Sequence, residues 1–377
     1  MILRKTAWLL SSLIPSLAIA AEVTAPIPPS PAFRIEETLV SYRGKDKLDY
    51  LAFPAIVPSG DKQILLSYKR GESHARDIGA VLEIIRVDLK SGLRIQDPIQ
   101  LGIPGEIMQM GEWIRFPDGT LSTYIDAQVV DSAGKHTRTG LVRATSRDNG
   151  KSFEALERVG VVDGVEYGYL FDSATVGKRV YALIMTFEYL AGGRRTVDAL
   201  YTDDNGGSWN FVRNLSEEFG DIRINESSLI PYKKGFLVAT RGYDNMQRLH
   251  QVDRNFKLIQ ETNITEDTDS IDSYIGRPRL FTYEGEYFLT GRNWRAVDRS
   301  IPMELAVIRF DPKSLKVEKL YTIDNAEQGK VTDGYYPCPI IVDTGKQNLL
   351  NIFDYRAFLG HPPDIIRLQF DSAAFLK

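Results

Sequence analysis

The 377-residue chain has a single cysteine, Cys338, so no disulfide can form within it and the fold must stand on its core alone. Cys338 sits among Pro337, Pro339, Ile340 and Ile341, the setting of a small buried residue. Histidine is scarce as well, at four residues. No His, Cys, Asp or Glu cluster has metal-ligand spacing, and no phosphate loop or Gly-x-Ser-x-Gly elbow occurs, so no metal or other cofactor is expected. Positive charge is not in excess: 46 Lys and Arg face 50 Asp and Glu, for a net charge of −4, which argues against a nucleic-acid partner. Helical periodicity is almost absent. Long apolar runs are missing too, apart from residues 7–19 behind Arg4 and Lys5, which are shorter than the ~20 residues a membrane span requires. With Ala18-Ile19-Ala20 as a small-residue cleavage site, residues 1–20 read as a secretory signal peptide. The mature protein is then expected to be exported, periplasmic or secreted, with no membrane span left. Residues 21–32 are Pro-rich and read as an extended tether.

What is present, from residue 33 to 377, is one long series of short alternating strands. Two turns share a layout: Thr202-Asp203-Asp204-Asn205-Gly206-Gly207-Ser208-Trp209 and Ser146-Arg147-Asp148-Asn149-Gly150-Lys151-Ser152-Phe153. Hydroxyl, Asp, Gly and aromatic fall at identical offsets; Asp and Asn can bond their own backbone, Gly accepts positive φ, and the aromatic anchors the hairpin. Residues 251–256 look like a decayed third copy. Strand pairs recur in six units of roughly 40 to 60 residues with about four strands each, the sequence signature of propeller blades. The expected fold is therefore all-β, a single six-bladed β-propeller over 33–377. Residues 33–42 alternate and are placed to pair with the last blade and close the ring. A stacked sandwich is the alternative.

The Ser/Thr-x-Asp-x-Gly-x-x-aromatic turn is the Asp-box, and with six units the chain resembles the sialidase (neuraminidase) superfamily. Asp-boxes mark the propeller, not the reaction. The resemblance implies a glycan as substrate and exo-acting, retaining hydrolysis. Glu226, opening the fourth unit, and Arg241, one hairpin later, match a base and a carboxylate-binding arginine; the alternative is an ion pair between strands. Tyr336 matches the nucleophile, with Tyr335 as the other choice. A free phenol has a pKa of ~10 and needs an adjacent carboxylate to take its proton. Tyrosine also avoids repelling a substrate carboxylate, and sialidases are an exception to the usual carboxylate pair. Asp77, in the loop Arg70-Gly71-Glu72-Ser73-His74-Ala75-Arg76-Asp77, matches the acid/base, with Glu72 competing.

One feature departs from the family pattern. Leu51-Ala52-Phe53-Pro54 puts Ala52 where the first substrate-clamping arginine belongs, so sialic acid itself is in question. Arg70 or Arg76 could compensate, and the third arginine is Arg292 or, next, Arg279. Tyr243 and Trp294 stand at strand ends among the other candidates for sugar contacts. An acidic or otherwise substituted glycan is the expected substrate. Two further readings stay open: a polysaccharide lyase acting on a uronate through His74 or His250 with Tyr243 or Tyr336, and a glycan-binding propeller without catalysis.

Overall fold

A computed structural model of the protein describes residues 35–186, 196–269, 271–294, 303–324 and 331–371. The expected signal peptide and tether lie outside them. The first strand is β1 (Ile35–Val40). The first blade is β2 (Tyr50–Pro58), β3 (Gln63–Gly71), β4 (Val81–Asp88) and β5 (Ile99–Leu101); the second is β6 (Ile107–Arg115), β7 (Leu121–Val130), β8 (His136–Ser146) and β9 (Glu157–Arg158). The third is β10 (Val161–Val162), β11 (Val165–Val176), β12 (Arg179–Thr186), β13 (Thr196–Thr202) and β14 (Asn210–Asn214). The fourth comprises β15 (Ile224–Tyr232), β16 (Gly235–Gly242), β17 (Gln247–Asp253) and β18 (Leu258–Asn263), and the fifth β19 (Ile275–Tyr283), β20 (Glu286–Trp294), β21 (Met303–Phe310) and β22 (Val317–Asp324). The sixth is built from β23 (Val331–Gly334), β24 (Cys338–Asp343), β25 (Asn348–Phe358), β26 (His361–Asp371) and the returning β1.

These six antiparallel sheets form a propeller ring, with β2, β6, β11, β15, β19 and β24 innermost and in contact around the axis. Strand β1 pairs with β26, Glu36 opposite Leu368 and Thr38 opposite Ile366, so the chain start closes the ring on the last blade. Apolar burial is divided among six clusters, one at each blade interface. Cys338 is buried in one of them, its thiol bonded to the Pro54 carbonyl at 3.1 Å and pushed up to about 12 by burial.

The two repeated turns are knots of side-chain hydrogen bonds. In the second, Asp204 accepts from the Thr202 hydroxyl at 2.7 Å, the Ser208 amide at 2.9 Å and the Ser208 hydroxyl at 2.7 Å, while the Gly206 amide donates to Thr202 Oγ1 at 3.0 Å. Asp148 repeats the pattern with Ser146 and Ser152. Each knot also ties its blade to the one before. Arg143 on β8 donates to the Gly206 carbonyl at 2.6 Å, and Arg86 on β4 donates to the Asn149 carbonyl at 2.7 Å. Trp209 meets Tyr124 of the preceding blade edge-on, centroids 5.8 Å apart. Gly206 has φ +80°, and a Cβ there would lie 2.6 Å from the Tyr124 hydroxyl and 2.8 Å from Phe116. Gly206→Ala therefore combines backbone strain with a clash at a blade interface, and is expected to cost about 1–3 kcal/mol in urea unfolding. A midpoint unchanged from wild type would contradict that role.

Candidate functional site

The site is made by irregularities at one end of the innermost strands. Pairing shifts register between Ala52 and Ala55, Met108 and Met110, Tyr167 and Tyr169, Ile224 and Ser227, Gly276 and Arg279, and, in the last blade, Val331 and Asp333. A bulge re-aims the side chain it displaces. Here Phe53, Gln109, Asn225 and Glu226, from the shifts of three blades, line one cavity of about 260 Å³ with Tyr169 and Tyr336 of two further blades and with His74, Arg241 and Tyr243 from the loops and second strands. Phe53 takes the left-handed φ of 57° at its bulge.

Glu226 and Arg241 face each other across the first hairpin of the fourth blade, Arg241 Nη1 to Glu226 Oε2 at 2.5 Å. The Arg277 amide donates to the same oxygen at 2.9 Å. Burial by itself would raise the Glu226 pKa, but the charges of Arg241 and Arg277, the Arg277 amide and the Tyr336 hydroxyl outweigh it and hold the carboxyl at about 2. Arg241 also lies 3.8 Å over the Tyr274 ring, which limits its freedom to swing away.

Tyr336 occupies a break in the innermost strand of the last blade, where β23 and β24 both pair with β25. The break turns consecutive tyrosines in opposite directions. Tyr335, at φ 65°, is fully buried in the cluster between the fifth and sixth blades, whereas Tyr336 lines the cavity together with Glu226. Asp354 fixes the turn, accepting the Tyr336 and Tyr355 amides at 2.7 and 2.8 Å; burial pushes its carboxyl up to about 8 despite those two bonds. The Tyr336 phenol is likewise raised, first by burial and then by the Glu226 charge, against the opposing pull of Arg292 and Arg241. It is therefore a neutral phenol at rest, near a carboxylate.

Other residues selected from the sequence take different places. Arg292 does not line the cavity: it lies 4.8 Å under the Tyr336 ring, and donates to the Gly334 carbonyl at 2.7 Å through Nε and to Asp333 and Tyr355 at 3.3 Å. Trp294 is buried beside it in the same interface cluster as Tyr335. Arg279 lies deeper along the axis, bonded to Glu112 and to the Phe171 carbonyl, in a second cavity of about 190 Å³. Arg70 faces away, bound to Glu83 at 3.0 Å, to Asp46 at 2.5 Å and over the Tyr42 ring at 4.0 Å. Asp77 is buried beneath its loop. Its Oδ1 is held by Lys69 at 2.7 Å, and its Oδ2 accepts the amides of Glu72 and Ser73 at 2.9 and 3.2 Å. Glu72 is exposed outside the cavity. Ala52 is buried, and neither Arg70 nor Arg76 lines the cavity beside it. His250 is far from solvent, stacked on Phe219 and bonded to Thr240 and Glu261 at 2.8 and 3.0 Å.

Sequence reasoning missed the polar lining of the second blade, Gln109, Gln128, His136 and Arg138, and the carboxylate Asp333. Gln109 stands just ahead of Glu112, where the apolar alternation of its inner strand becomes visible, as Glu226 stands just ahead of Ser227. That position was the usable signal.

No protein-family model matches the chain, and no curated protein does. Solved structures do match. A protein of unknown function from Dyadobacter fermentans superposes with a TM-score of 0.69 at 13% identity, over 91% of this chain and 99% of that one. The NanB sialidase from Streptococcus pneumoniae gives 0.62 at 10% identity, over 89% and 71%. The intramolecular trans-sialidase from Ruminococcus gnavus, solved with oseltamivir carboxylate, gives 0.61 at 9% identity, over 89% and 97%. At such identities the likeness is one of fold. Sialidase-fold propellers are thus its structural neighbours.

The charge state of Glu226 sets an acid limit to stability. Its folded pKa of about 2 lies below the ordinary value of 4.5, so its contribution is complete above pH ~4.5 and is lost as pH falls through about 2. That contribution is on the order of 3 kcal/mol by linkage. Urea unfolding of Glu226→Gln should start lower at neutral pH and decline less than wild type between pH 5 and pH 2 (roughly the span set by the two values); parallel declines would refute the assignment.

Proposed function

We propose that the protein is a sialidase-like glycoside hydrolase acting with retention on a terminal residue of an acidic or otherwise substituted glycan. The observation that carries this reading is the convergence of Tyr336, Glu226 and Arg241 on one cavity, close enough that the Glu226 charge acts on the Tyr336 phenol. Tyr336 Oη attacks the anomeric carbon, and Glu226 takes its proton as the bond forms. The resting phenol holds its proton tightly, so transfer is coupled to attack and does not precede it. Arg241 orients the substrate and keeps Glu226 ionised, and Tyr243, on the rim, offers a face to the sugar. Arg292 acts from beneath, locking the peptide that carries Tyr336. A cavity of about 260 Å³ suits one sugar unit better than a chain interior, which supports exo action.

The repeated turns are read as Asp-boxes, and Ala52 as the place of the absent arginine, which leaves Arg241 as the one arginine of the expected three on the cavity wall. The reading of residues 1–20 as a signal peptide supports an activity outside the cytoplasm. One observation favours a second reading, a uronate lyase: His74 shares the cavity with Tyr336 and Tyr243. An unsaturated product absorbing in the ultraviolet would decide for it.

Tyr336→Phe tests the main reading. It removes the nucleophile without changing ring packing, so kcat on a cleaved glycoside should fall by at least ~10³-fold with KM little changed. Wild-type turnover in this variant would sink the hydrolase mechanism.

A further inference from the structure

We infer that His74, oriented by Asp333, is the acid/base group of this site, in the role that the sequence resemblance gives to Asp77; the inference rests on the hydrolase reading. Retaining hydrolysis needs a group that protonates the leaving oxygen and later deprotonates water. Asp77 is turned into its own loop, with both oxygens occupied by Lys69 and two amides. What that arrangement does is shape the loop. Lys69 Nζ also donates to the carbonyls of Ser73 and His74 at 2.9 and 3.1 Å, and Gln109 donates to the His74 carbonyl at 2.7 Å. The product of this packing is a projecting imidazole, its side chain 51% exposed and on the cavity wall.

The imidazole is held from two sides. Phe53, at its bulge beside Ala52, meets it edge-on at 4.9 Å and also packs against Tyr336 at 5.3 Å, so one ring spaces the proposed acid from the proposed nucleophile. His74 Nδ1 lies 2.6 Å from Asp333 Oδ2. Asp333 also accepts from the hydroxyls of Tyr50 and Tyr355 and from Arg292. Burial alone would raise its pKa, but His74, Arg292 and Tyr50 together hold it well below the usual carboxylate range. An ionised carboxylate can only accept, so His74 Nδ1 must be the donor, and Nε2 is the nitrogen left for the cavity. A carboxylate that fixes the tautomer of a histidine while the other nitrogen does proton transfer is the division of labour seen in hydrolytic triads.

The steps balance. In the first, Tyr336 Oη bonds to the anomeric carbon and passes its proton to Glu226, the glycosidic C–O bond breaks, and the leaving oxygen takes the proton from His74 Nε2. In the second, water attacks the anomeric carbon and gives a proton to His74 Nε2, the bond to Tyr336 breaks, and Glu226 returns the phenol proton. Asp333 is a positioning residue in both.

The test compares the mature protein with His74→Ala on matched nitrophenyl and methyl glycosides of common sugars, N-acetylneuraminic acid included. A nitrophenolate leaves without a proton, whereas a methoxide does not. His74→Ala should therefore lose at least ~100-fold in kcat/KM on the methyl glycoside and far less on the nitrophenyl one. Azide should restore its nitrophenyl turnover and yield a glycosyl azide of retained configuration. Asp333→Asn should shift the same ratio of leaving groups, less severely. If His74→Ala keeps the wild-type ratio, or if Asp77→Asn acquires the leaving-group dependence in its place, the inference is overturned while the hydrolase reading stands. Loss of both substrates in His74→Ala without azide rescue, in a protein that melts like wild type, also overturns it. The hydrolase reading fails separately, and takes the inference with it, if Tyr336→Phe turns over the nitrophenyl glycosides like wild type or if wild type cleaves none of the glycosides.

Discussion

Everything in this molecule depends on the pairing of β1 with β26. Each blade buries its apolar faces only against the blade before and the blade after, and the six clusters lie at the six interfaces with no central core to fall back on. A ring of this kind has no end blade that is stable with one face open, and a strand contributed from the far end of the sequence supplies the last pairing. The closure is not only backbone pairing. Arg356 of β25 bridges Glu36 on β1 and Asp324 on the fifth blade at 2.5 Å each, joining the seam to its neighbour. With a single buried cysteine the protein has no covalent substitute for this arrangement.

The same closure explains how a site arises on the axis. Six inner strands held side by side leave little room, and their regular portions fill it: Glu112, Arg279 and Cys338 surround the narrower lower cavity. Toward the other end each inner strand bulges, and the displaced residue is often one with a polar or aromatic side chain. The bulges have a backbone signature at Phe53, Arg277 and Tyr335, non-glycine residues at positive φ, a conformation costing about 1–3 kcal/mol each that a rigid surround can maintain. Strain of this kind at the mouth of a tightly packed ring is how Tyr336 comes to face the cavity while its neighbour is packed away.

How much of this the sequence reveals follows from what each part must satisfy. The blade count and the closing strand were legible because alternation, hairpin glycines and the two repeated turns are local requirements of the fold, met by residues such as Gly206 that no other type can replace. The mouth ends of the inner strands were not legible. Apolar alternation becomes visible only from Glu112, Arg279 and Pro339, whereas β6 begins at Ile107, β19 at Ile275, and the last inner strand is split around Tyr336. A bulge breaks the two-residue period, and polar side chains aimed at a cavity look like loop. For the site, Glu226 and Arg241 could be paired because a hairpin fixes their separation. Asp77 was matched over Glu72 and Asp333 was missed, because which side chain of a polar loop turns inward depends on contacts from Lys69 and Gln109, which lie far from Asp333 in the sequence.

The charge arrangement along the axis favours chemistry over simple capture of an anion. Arg241 is matched to Glu226, Arg277 and Arg279 to Glu112, and Arg292 to Asp333 and the Gly334 carbonyl. An arginine clamp gains its selectivity for carboxylates from unspent donors in a fixed fork. Here much of that capacity is already directed at internal acceptors. What those ion pairs accomplish is to keep two carboxylates, Glu226 and Asp333, ionised inside a largely apolar ring. Glu226 lies on the cavity wall with the Tyr336 phenol, and Asp333 stands behind it, 2.6 Å from the His74 imidazole. The proposed hydrolase would use both, Glu226 to receive the Tyr336 proton and Asp333 to orient His74.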